Sequence, residues 1–232
     1  MFVSAIKRRL RSEKVELEIY KKSNKFSLEV LYPERRWYNR SFNYTVDLSL
    51  IIPEESDVDL ESTNGTIEVY NISGEVSAES LNGKIIIKNV VGKIYAKSLN
   101  GRVSILKAKG RIDCESLNRE IRIEDSSCEW IKAESMNGKI FVETTIDTDG
   151  VYDFESTNGD ITIYIPEDSR ADIIAEAPKN RFFSDFEIEF AFKERRRWNI
   201  DWRSRKITGK INGGGARISI STLNGDIDIR KK

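Results

Sequence analysis

Apolar and polar side chains alternate along most of this chain, in short stretches that are separated by glycine. Between Asn82 and Asn100, apolar or small residues stand at every second position of two such stretches, at Ile85, Ile87, Ile94, Ala96 and Ser98. A period of two predicts β-strands with one buried face. The pattern therefore predicts two short strands in each segment of this length.

The stretches recur because the chain repeats one short motif at nearly constant spacing. Its copies read ESTNG, ESLNG, KSLNG, ESLNR, ESMNG, ESTNG and, near the C-terminus, STLNG. The first six asparagines follow one another at steps of 18, 18, 18, 19 and 21, and with the seventh they are Asn64, Asn82, Asn100, Asn118, Asn137, Asn158 and Asn224. A fixed period near this length, combined with strand patterning, is typical of a solenoid.

Stacking the repeats places similar residues over one another. One inward column reads Ile67, Ile85, Val103, Ile121, Ile140 and Ile161. We therefore predict an all-β fold, a two-sheet parallel β-solenoid with coils of about 18 residues and capping strands at both ends. A set of hairpins with Asn-Gly type I′ turns is the alternative, and it would give an antiparallel sheet.

The Asn-Gly pairs themselves predict a backbone conformation. Glycine adopts positive φ without strain, and asparagine tolerates the left-handed region better than most residues. We therefore expect left-handed turns at these pairs. A stacked column of asparagines also predicts side-chain hydrogen bonds from one coil to the next.

The length of 232 residues fits a single domain, residues 1–232, with four parts. Residues 1–52 are expected to supply N-terminal cap strands, because the end coils of a solenoid expose strand edges. Residues 53–165 hold the repeat coils. Residues 166–206 form an aromatic and basic insertion, and residues 207–232 return to the pattern as the final coil.

The N-terminal part predicts strands over 15–20, 26–31 and 42–52, preceded by a frayed or short helical terminus, with a basic amphipathic segment as the alternative. No apolar run is long enough for a signal peptide or a membrane span, which predicts a cytoplasmic protein, with an envelope-associated one as the alternative. Cys114 and Cys128 lie out of register in their coils, so we predict two free thiols and a reducing compartment.

Composition argues against an enzyme. The chain has no histidine, so the usual general base and metal ligand are missing. The serines of the repeat motif recur in every coil, which favours a structural role over a catalytic one. We predict a non-catalytic structural or binding module without metal or cofactor. A β-helix carbohydrate-active enzyme is the weaker alternative.

Charge gives a local rather than a global signal, because 38 Lys and Arg residues balance 38 Asp and Glu residues. Basic and aromatic residues concentrate in two places outside the repeats. The candidate interaction surface consists of Arg35, Arg36, Trp37, Arg195, Arg196, Arg197, Trp198 and Trp202. These residues either cap the solenoid or dock an anionic partner through Trp anchors and Arg contacts. A protein or an anionic envelope component would suit them, and nucleic acid is not expected.

The motifs also carry a family resemblance. The xSxNGxIxI repeat, the ending INGGGARISISTLNGDIDI and the SDF strand before it resemble the adhesin β-strand-repeat family of bacteria and archaea. The resemblance covers roughly residues 42–232. It implies a β-solenoid, brings no catalytic residues, and suggests an envelope-linked sensing or scaffold role, with a cell-surface adhesin as the alternative. Arg119, in place of a turn glycine, and Cys128 depart from the family pattern.

Overall fold

The structure is a computed structural model that describes residues 5–10, 16–22, 25–31, 46–178, 181–190 and 206–232, the first range by its backbone alone. It divides into two compact units, Met1–Ser56 and Asp57–Lys232. All regular elements among these residues are β-strands, so the all-β class is confirmed. The assignment of the whole chain to one domain, and the capping role of residues 1–52, stay predictions.

The strands of the described ranges are numbered in chain order. They are β1 (Ala5–Leu10), β2 (Glu16–Lys22), β3 (Lys25–Leu31), β4 (Val46–Ile51), β5 (Val58–Ser62), β6 (Ile67–Ser80), β7 (Ile85–Ser98), β8 (Val103–Ser116), β9 (Ile121–Ser135), β10 (Ile140–Ser156), β11 (Ile161–Ile165), β12 (Ala171–Glu176), β13 (Phe182–Ser184), β14 (Ile188–Phe190), β15 (Lys206–Ile211), β16 (Ala216–Thr222) and β17 (Ile227–Lys231).

The first unit contains two separate antiparallel pairs of strands. β2 pairs with β3, and β1 pairs with β4 over its whole length, so that Ala5 lies opposite Ile51. The strands predicted for this part correspond to β2, β3 and β4. The expectation of a frayed or helical terminus is wrong, because β1 gains its backbone partners from a segment that is distant in sequence.

The second unit is the parallel β-solenoid. Each of the strands β6–β10 runs through most of one coil and lies in register between its neighbours, so that Ile85 stands beside Ile67 on one side and Val103 on the other. The inward columns are buried, with Ile85 and Val103 at 0% exposure. The predicted parallel solenoid is confirmed, and the hairpin alternative is wrong for these coils because their pairing is parallel.

The left-handed backbone of the coils lies at the corner inside strands β6 to β9, not at the Asn-Gly pairs. Positive φ occurs at Asn71, Asn89, Lys107 and Asp125, with values from 48° to 57°. Three residues after Asn89 and Lys107, Gly92 and Gly110 also have positive φ. No Asn-Gly pair of the repeat is among the described positive-φ residues, so the prediction of left-handed turns at those pairs is wrong.

The turn glycines are required for a different reason, which is close contact between successive coils. A Cβ atom built on Gly101 would lie 1.8 Å from the carbonyl oxygen of Gly83, and one on Gly83 would lie 1.7 Å from that of Gly65. Arg119 stands at this position in the next coil, where its amide hydrogen bond to Ser116 Oγ lengthens to 3.3 Å. The corresponding bond from Gly101 to Ser98 Oγ measures 2.9 Å.

Replacing Gly101 with alanine is therefore expected to destabilise the protein by about 1–3 kcal/mol, the usual cost of forcing extra atoms into packed structure. Gly65→Ala is the matched control, because a Cβ there meets only Ser62 Oγ, at 2.9 Å, among the described atoms. Chemical denaturation of both variants measures the difference. Equal unfolding free energies for the two variants would show that the contact between coils does not explain the glycines.

The C-terminal strands lie inside the stack. β16 sits between β10 and β12, with Ile218 beside Tyr152 on one side and Ile173 on the other. β17 likewise sits between β11 and β13. Beyond β12, the antiparallel strands β15 and β14 end the sheet. The structure therefore differs from the sequence-based assignment of residues 207–232 as the final coil.

The repeat motif explains this order. The segment after β11, from Pro166 to the end of β12, contains no Asn-Gly pair and cannot supply the next turn. The seventh motif copy supplies it, because Asn224 Nδ2 donates to Asn158 Oδ1 at 2.7 Å and Thr222 Oγ1 donates to the Gly159 carbonyl at 3.1 Å. The insertion strands are thereby displaced to the end of the stack.

Candidate functional site

The predicted basic and aromatic surface falls outside the part of the chain that the structure describes. This applies to each of its members, Arg35, Arg36, Trp37, Arg195, Arg196, Arg197, Trp198 and Trp202. Of the neighbouring aromatic residues, Phe186 is buried, whereas Phe183 and Phe190 are about half exposed. Both interpretations of the cluster, as a cap and as a docking surface, stay predictions.

The structure brings the seven repeat asparagines together in one exposed column. Each turn of the stack is one rung of this column. From the second rung onward, the side-chain Nδ2 of each asparagine donates to Oδ1 of the asparagine in the preceding rung, at 2.7 to 2.9 Å. The bonds join Asn82 to Asn64, Asn100 to Asn82, Asn118 to Asn100, Asn137 to Asn118, Asn158 to Asn137 and Asn224 to Asn158. The ladder gives the turns a common geometry, and it uses one donor and one acceptor at each inner rung.

The repeat serines form a second, buried column beside the ladder. Ser98 Oγ accepts a hydrogen bond from the Gly101 amide at 2.9 Å and donates one to the Gly83 carbonyl at 3.1 Å. Ser116 repeats the pattern, and Thr222 does so in the seventh copy. These hydroxyl groups join one turn to the next, and no histidine is present in the chain to activate them.

The two thiols are free, as predicted, and both are buried. Burial raises the pKa of Cys128 to about 12, and burial also raises the pKa of Cys114 well above its ordinary value. A thiol that stays protonated at neutral pH is a poor nucleophile and a poor metal ligand. Across the described ranges, no group of three or more His, Cys, Asp or Glu residues could hold a metal ion.

One outer sheet of the solenoid is distinctly acidic. We define the acidic face as the outward side chains of β5 and of the C-terminal halves of β6–β10, with the residues at their edges. Its acidic members are Asp57, Asp59, Glu61, Glu75, Glu79, Asp113, Glu115, Glu129, Glu134, Asp153 and Glu155. Its basic members are Lys93, Lys97, Arg111 and Lys132.

Ion pairs neutralise only part of this face. Lys97 contacts Glu115 and Lys132 contacts Glu134, each at 2.6 Å, and the pairs of Lys93 and Arg111 are longer than 3.5 Å. Partial burial raises the pKa of Asp113, as the largest effect on that carboxyl group. Glu61, Glu79 and Glu155 are exposed and form no ion pair within 4.0 Å among the described residues, although Glu79 stands beside Lys97, whose ion pair is with Glu115.

The opposite sheet has balanced charges. Arg122 on β9 pairs with Glu124 at 2.8 Å and with Glu120 at 3.4 Å, and its guanidinium lies 4.2 Å from the centre of the Phe141 ring. Lys139 pairs with Asp160 at 2.9 Å, and this partner lowers the pKa of Asp160. Among the described residues, the excess negative charge of the coils β5 to β10 therefore lies on the acidic face.

Sequence reasoning missed the acidic face, although its signal lies in the repeat motif. The first letter of ESxNG is the glutamate that stands two residues before the exposed turn residue, so five coils present Glu61, Glu79, Glu115, Glu134 and Glu155 in one column. Lys97 is the exception in this column. The balanced total of basic and acidic residues hides this excess, which is visible only over the whole face.

The chain matches the family model Toastrack DUF4097 over residues 7–230. No curated protein and no solved structure matches it. The family match supports the sequence-based resemblance as far as a β-solenoid domain of unknown function, and the adhesin label stays a prediction. In the part of the chain described by the structure, no helix is long and apolar enough to cross a membrane.

Proposed function

The chain belongs to the Toastrack domain family, and we propose that it is a non-catalytic binding scaffold whose acidic face docks a basic protein partner. The acidic face carries this proposal. Its carboxylates are fixed on strands about 4.8 Å apart, so their potentials add over an extended and rigid surface. An excess of one charge that ion pairs leave in place attracts a partner of the opposite charge.

The chemistry of the described residues supports a non-catalytic role. The repeat hydroxyl groups are engaged in hydrogen bonds between turns, and the two thiols are buried with raised pKa values. The sequence contains no histidine that could act as a general base. The stacked strands of the solenoid form an extended and rigid surface, which suits binding rather than catalysis.

An envelope-linked sensing or scaffold role in the cytoplasm is the setting we propose for this binding. It follows from the resemblance noted in the sequence and from the short apolar runs of the chain. A cell-surface adhesin would require export. Fractionation of cells that express the full-length protein from its own promoter distinguishes these two settings.

The binding proposal is tested with poly-lysine as a probe of charge alone. Substituting the unpaired glutamates, as Glu61→Gln, Glu79→Gln and Glu155→Gln together, is expected to weaken poly-lysine binding by about tenfold at low salt and to reduce its salt dependence. Fluorescence anisotropy of labelled poly-lysine measures both quantities.

The matched control removes three exposed charges elsewhere, as Glu68→Gln, Asp168→Asn and Glu187→Gln. This variant has the same net charge as the triple glutamine variant but keeps the acidic face intact. It is expected to bind poly-lysine nearly as the unchanged protein does. Equal losses in the two variants would show that net charge alone, and no particular face, governs binding, and would refute the proposal.

A further inference from the structure

An exposed apolar ridge runs along the corner of the solenoid at the repeat turns. It consists of the residue that precedes each repeat asparagine. In each motif copy this residue follows the position of the acidic column by two, as Leu81 follows Glu79. Its apolar members are Leu81, Leu99, Leu117, Met136 and Leu223, of which Leu117 is partly buried. Thr157 occupies the rung between Met136 and Leu223. Leu81, Met136 and Leu223 are 45%, 49% and 51% exposed, and Leu99 is 37% exposed.

The fold does not require apolar residues at this position. Thr63 and Thr157 stand in the same place in their own turns and keep the same backbone contacts. The backbone N–H of Asn82 donates to the Thr63 carbonyl at 2.9 Å, just as the backbone N–H of Asn100 donates to the Leu81 carbonyl at 2.9 Å. Aligned leucines at a water-exposed corner gain nothing from the core, and contiguous exposed apolar surface commonly marks an interaction site.

The surroundings of the ridge decide what chemistry fits it. On one side lies the acidic column with Glu79, Glu134 and Glu155, and on the other lies the asparagine ladder, whose amide groups bond to one another. An occupant of the ridge therefore meets carboxylates on one flank and neutral amides on the other. Charge complementarity favours an occupant that carries Lys or Arg along one edge of its apolar surface.

The spacing of the ridge favours a helix. Its rungs stand about 4.8 Å apart, close to the 5.4 Å pitch of an α-helix, whereas alternate residues of a strand stand about 6.7 Å apart. The six rungs from Leu81 to Leu223 span about 24 Å, which corresponds to a helix of about 16 residues. One apolar side chain per turn of such a helix would lie near each rung.

We propose that the apolar ridge and the acidic column together bind an amphipathic helix of a partner protein, with its apolar stripe on the leucines and its basic flank on the glutamates. This inference rests on the proposed function, since it names the kind of basic partner that the acidic face receives. It adds a requirement that the acidic face alone does not make, namely contact with the ridge.

The test uses an 18-residue model helix with leucine on one stripe and lysine along one flank. Two companion peptides replace its leucines with serine or its lysines with glutamate. The lysine and leucine helix is expected to bind the full-length protein at least about tenfold more tightly than either companion. If the serine companion binds as tightly as the lysine and leucine helix, the ridge does not contact the helix and the inference is wrong. If the glutamate companion binds as tightly, the choice of a basic helix is wrong.

The ridge variant is Leu81→Thr, Leu99→Thr and Met136→Thr, which places there the residue that Thr63 and Thr157 already show to be compatible with the turn. It is expected to lose about tenfold in affinity for the model helix and to keep its binding to poly-lysine. The control is Val91→Thr at the other corner, where Val91 is 52% exposed. It should bind the helix within about twofold of the unchanged protein.

The two proposals fail in distinguishable ways. Suppose that the ridge variant binds the helix normally, while the triple Glu→Gln variant of the acidic face still loses affinity for poly-lysine. The ridge inference is then wrong, and the proposed binding role of the acidic face is unaffected. If the triple Glu→Gln variant keeps its affinity for poly-lysine, the proposed function itself is wrong. Self-association that the ridge variant abolishes, together with no binding of the helix, would show that a second copy of this chain occupies the ridge and would overturn the inference.

Discussion

Replacing Ile105 with aspartate is expected to leave the second unit unfolded at ambient temperature. Ile105 is 1% exposed and stands in an unbroken inward column between Ile87 and Ile123. The variant loses about 1.5–3 kcal/mol of apolar burial. A buried carboxylate without a partner costs several kcal/mol more, against a total stability of about 5–15 kcal/mol for a typical domain.

The control for this prediction is Ser104→Asp, which places the same side chain one residue earlier on the outward side of β8. Ser104 is only partly buried, so this variant should fold with a melting temperature close to that of the unchanged protein. Circular dichroism and thermal melting of both proteins measure the difference. A cooperative transition of Ile105→Asp at the temperature of the unchanged protein would contradict the inward assignment of the column.

Deleting residues 216–232 is expected to unfold the stack from β11 onward rather than to shorten it. The deletion removes β16 and β17 from the interior, where Ile218, Ile220, Ile227 and Ile229 are at most 1% exposed. Four such side chains contribute about 6–12 kcal/mol of burial. β12 also loses the parallel partner that joins it to β10.

Hydrogen exchange resolved by peptide measures this outcome. Residues 171–176 and 206–211 should lose protection together, although the deletion touches neither segment. The control keeps both strands and changes only two outward side chains of β16, as Ser219→Ala and Ser221→Ala, and should leave protection in place. Retained protection of β12 in the deletion would show that this strand does not depend on β16.

The coils could be predicted from the sequence because each of their rules is local. Alternation places Ile85 and Ile87 on the same face of a strand, and a fixed period then places them over Val103 and Ile105. The turn glycines were predicted for a reason that proved wrong. Their position in the motif is visible in the sequence, whereas the 1.8 Å approach of a Gly101 Cβ to the coil below depends on how closely two turns stack.

The strand β1 and the position of β16 in the stack could not be predicted, because both depend on pairing between segments that are distant in sequence. β1, with the sequence AIKRRL, shows no alternation of apolar and polar residues, and its backbone partners come from β4. The place of β16 between β10 and β12 likewise follows from a competition between two segments for one edge, which the seventh motif copy wins through Asn224. Local patterns contain no information about such a competition.

The candidate site could be predicted only in part. The asparagine positions followed from the motif, and the structure places them in one hydrogen-bonded column. The acidic face and the apolar ridge needed the register of the stack, because Glu79 and Leu81 become members of continuous columns only when the coils are aligned. The basic cluster around Trp198 follows from composition alone and stays a prediction.

The interior position of β16 and β17 has a consequence for the order in which a newly made chain folds. The coils from β6 to β10 are free to form in order of synthesis, because each needs only the coil made before it. β12 is made after β11, and its parallel neighbour β16 leaves the ribosome only later. A chain interrupted during translation would therefore display unpaired strand edges on β10 and β12, of the kind that invites association with other chains and recognition by chaperones or proteases.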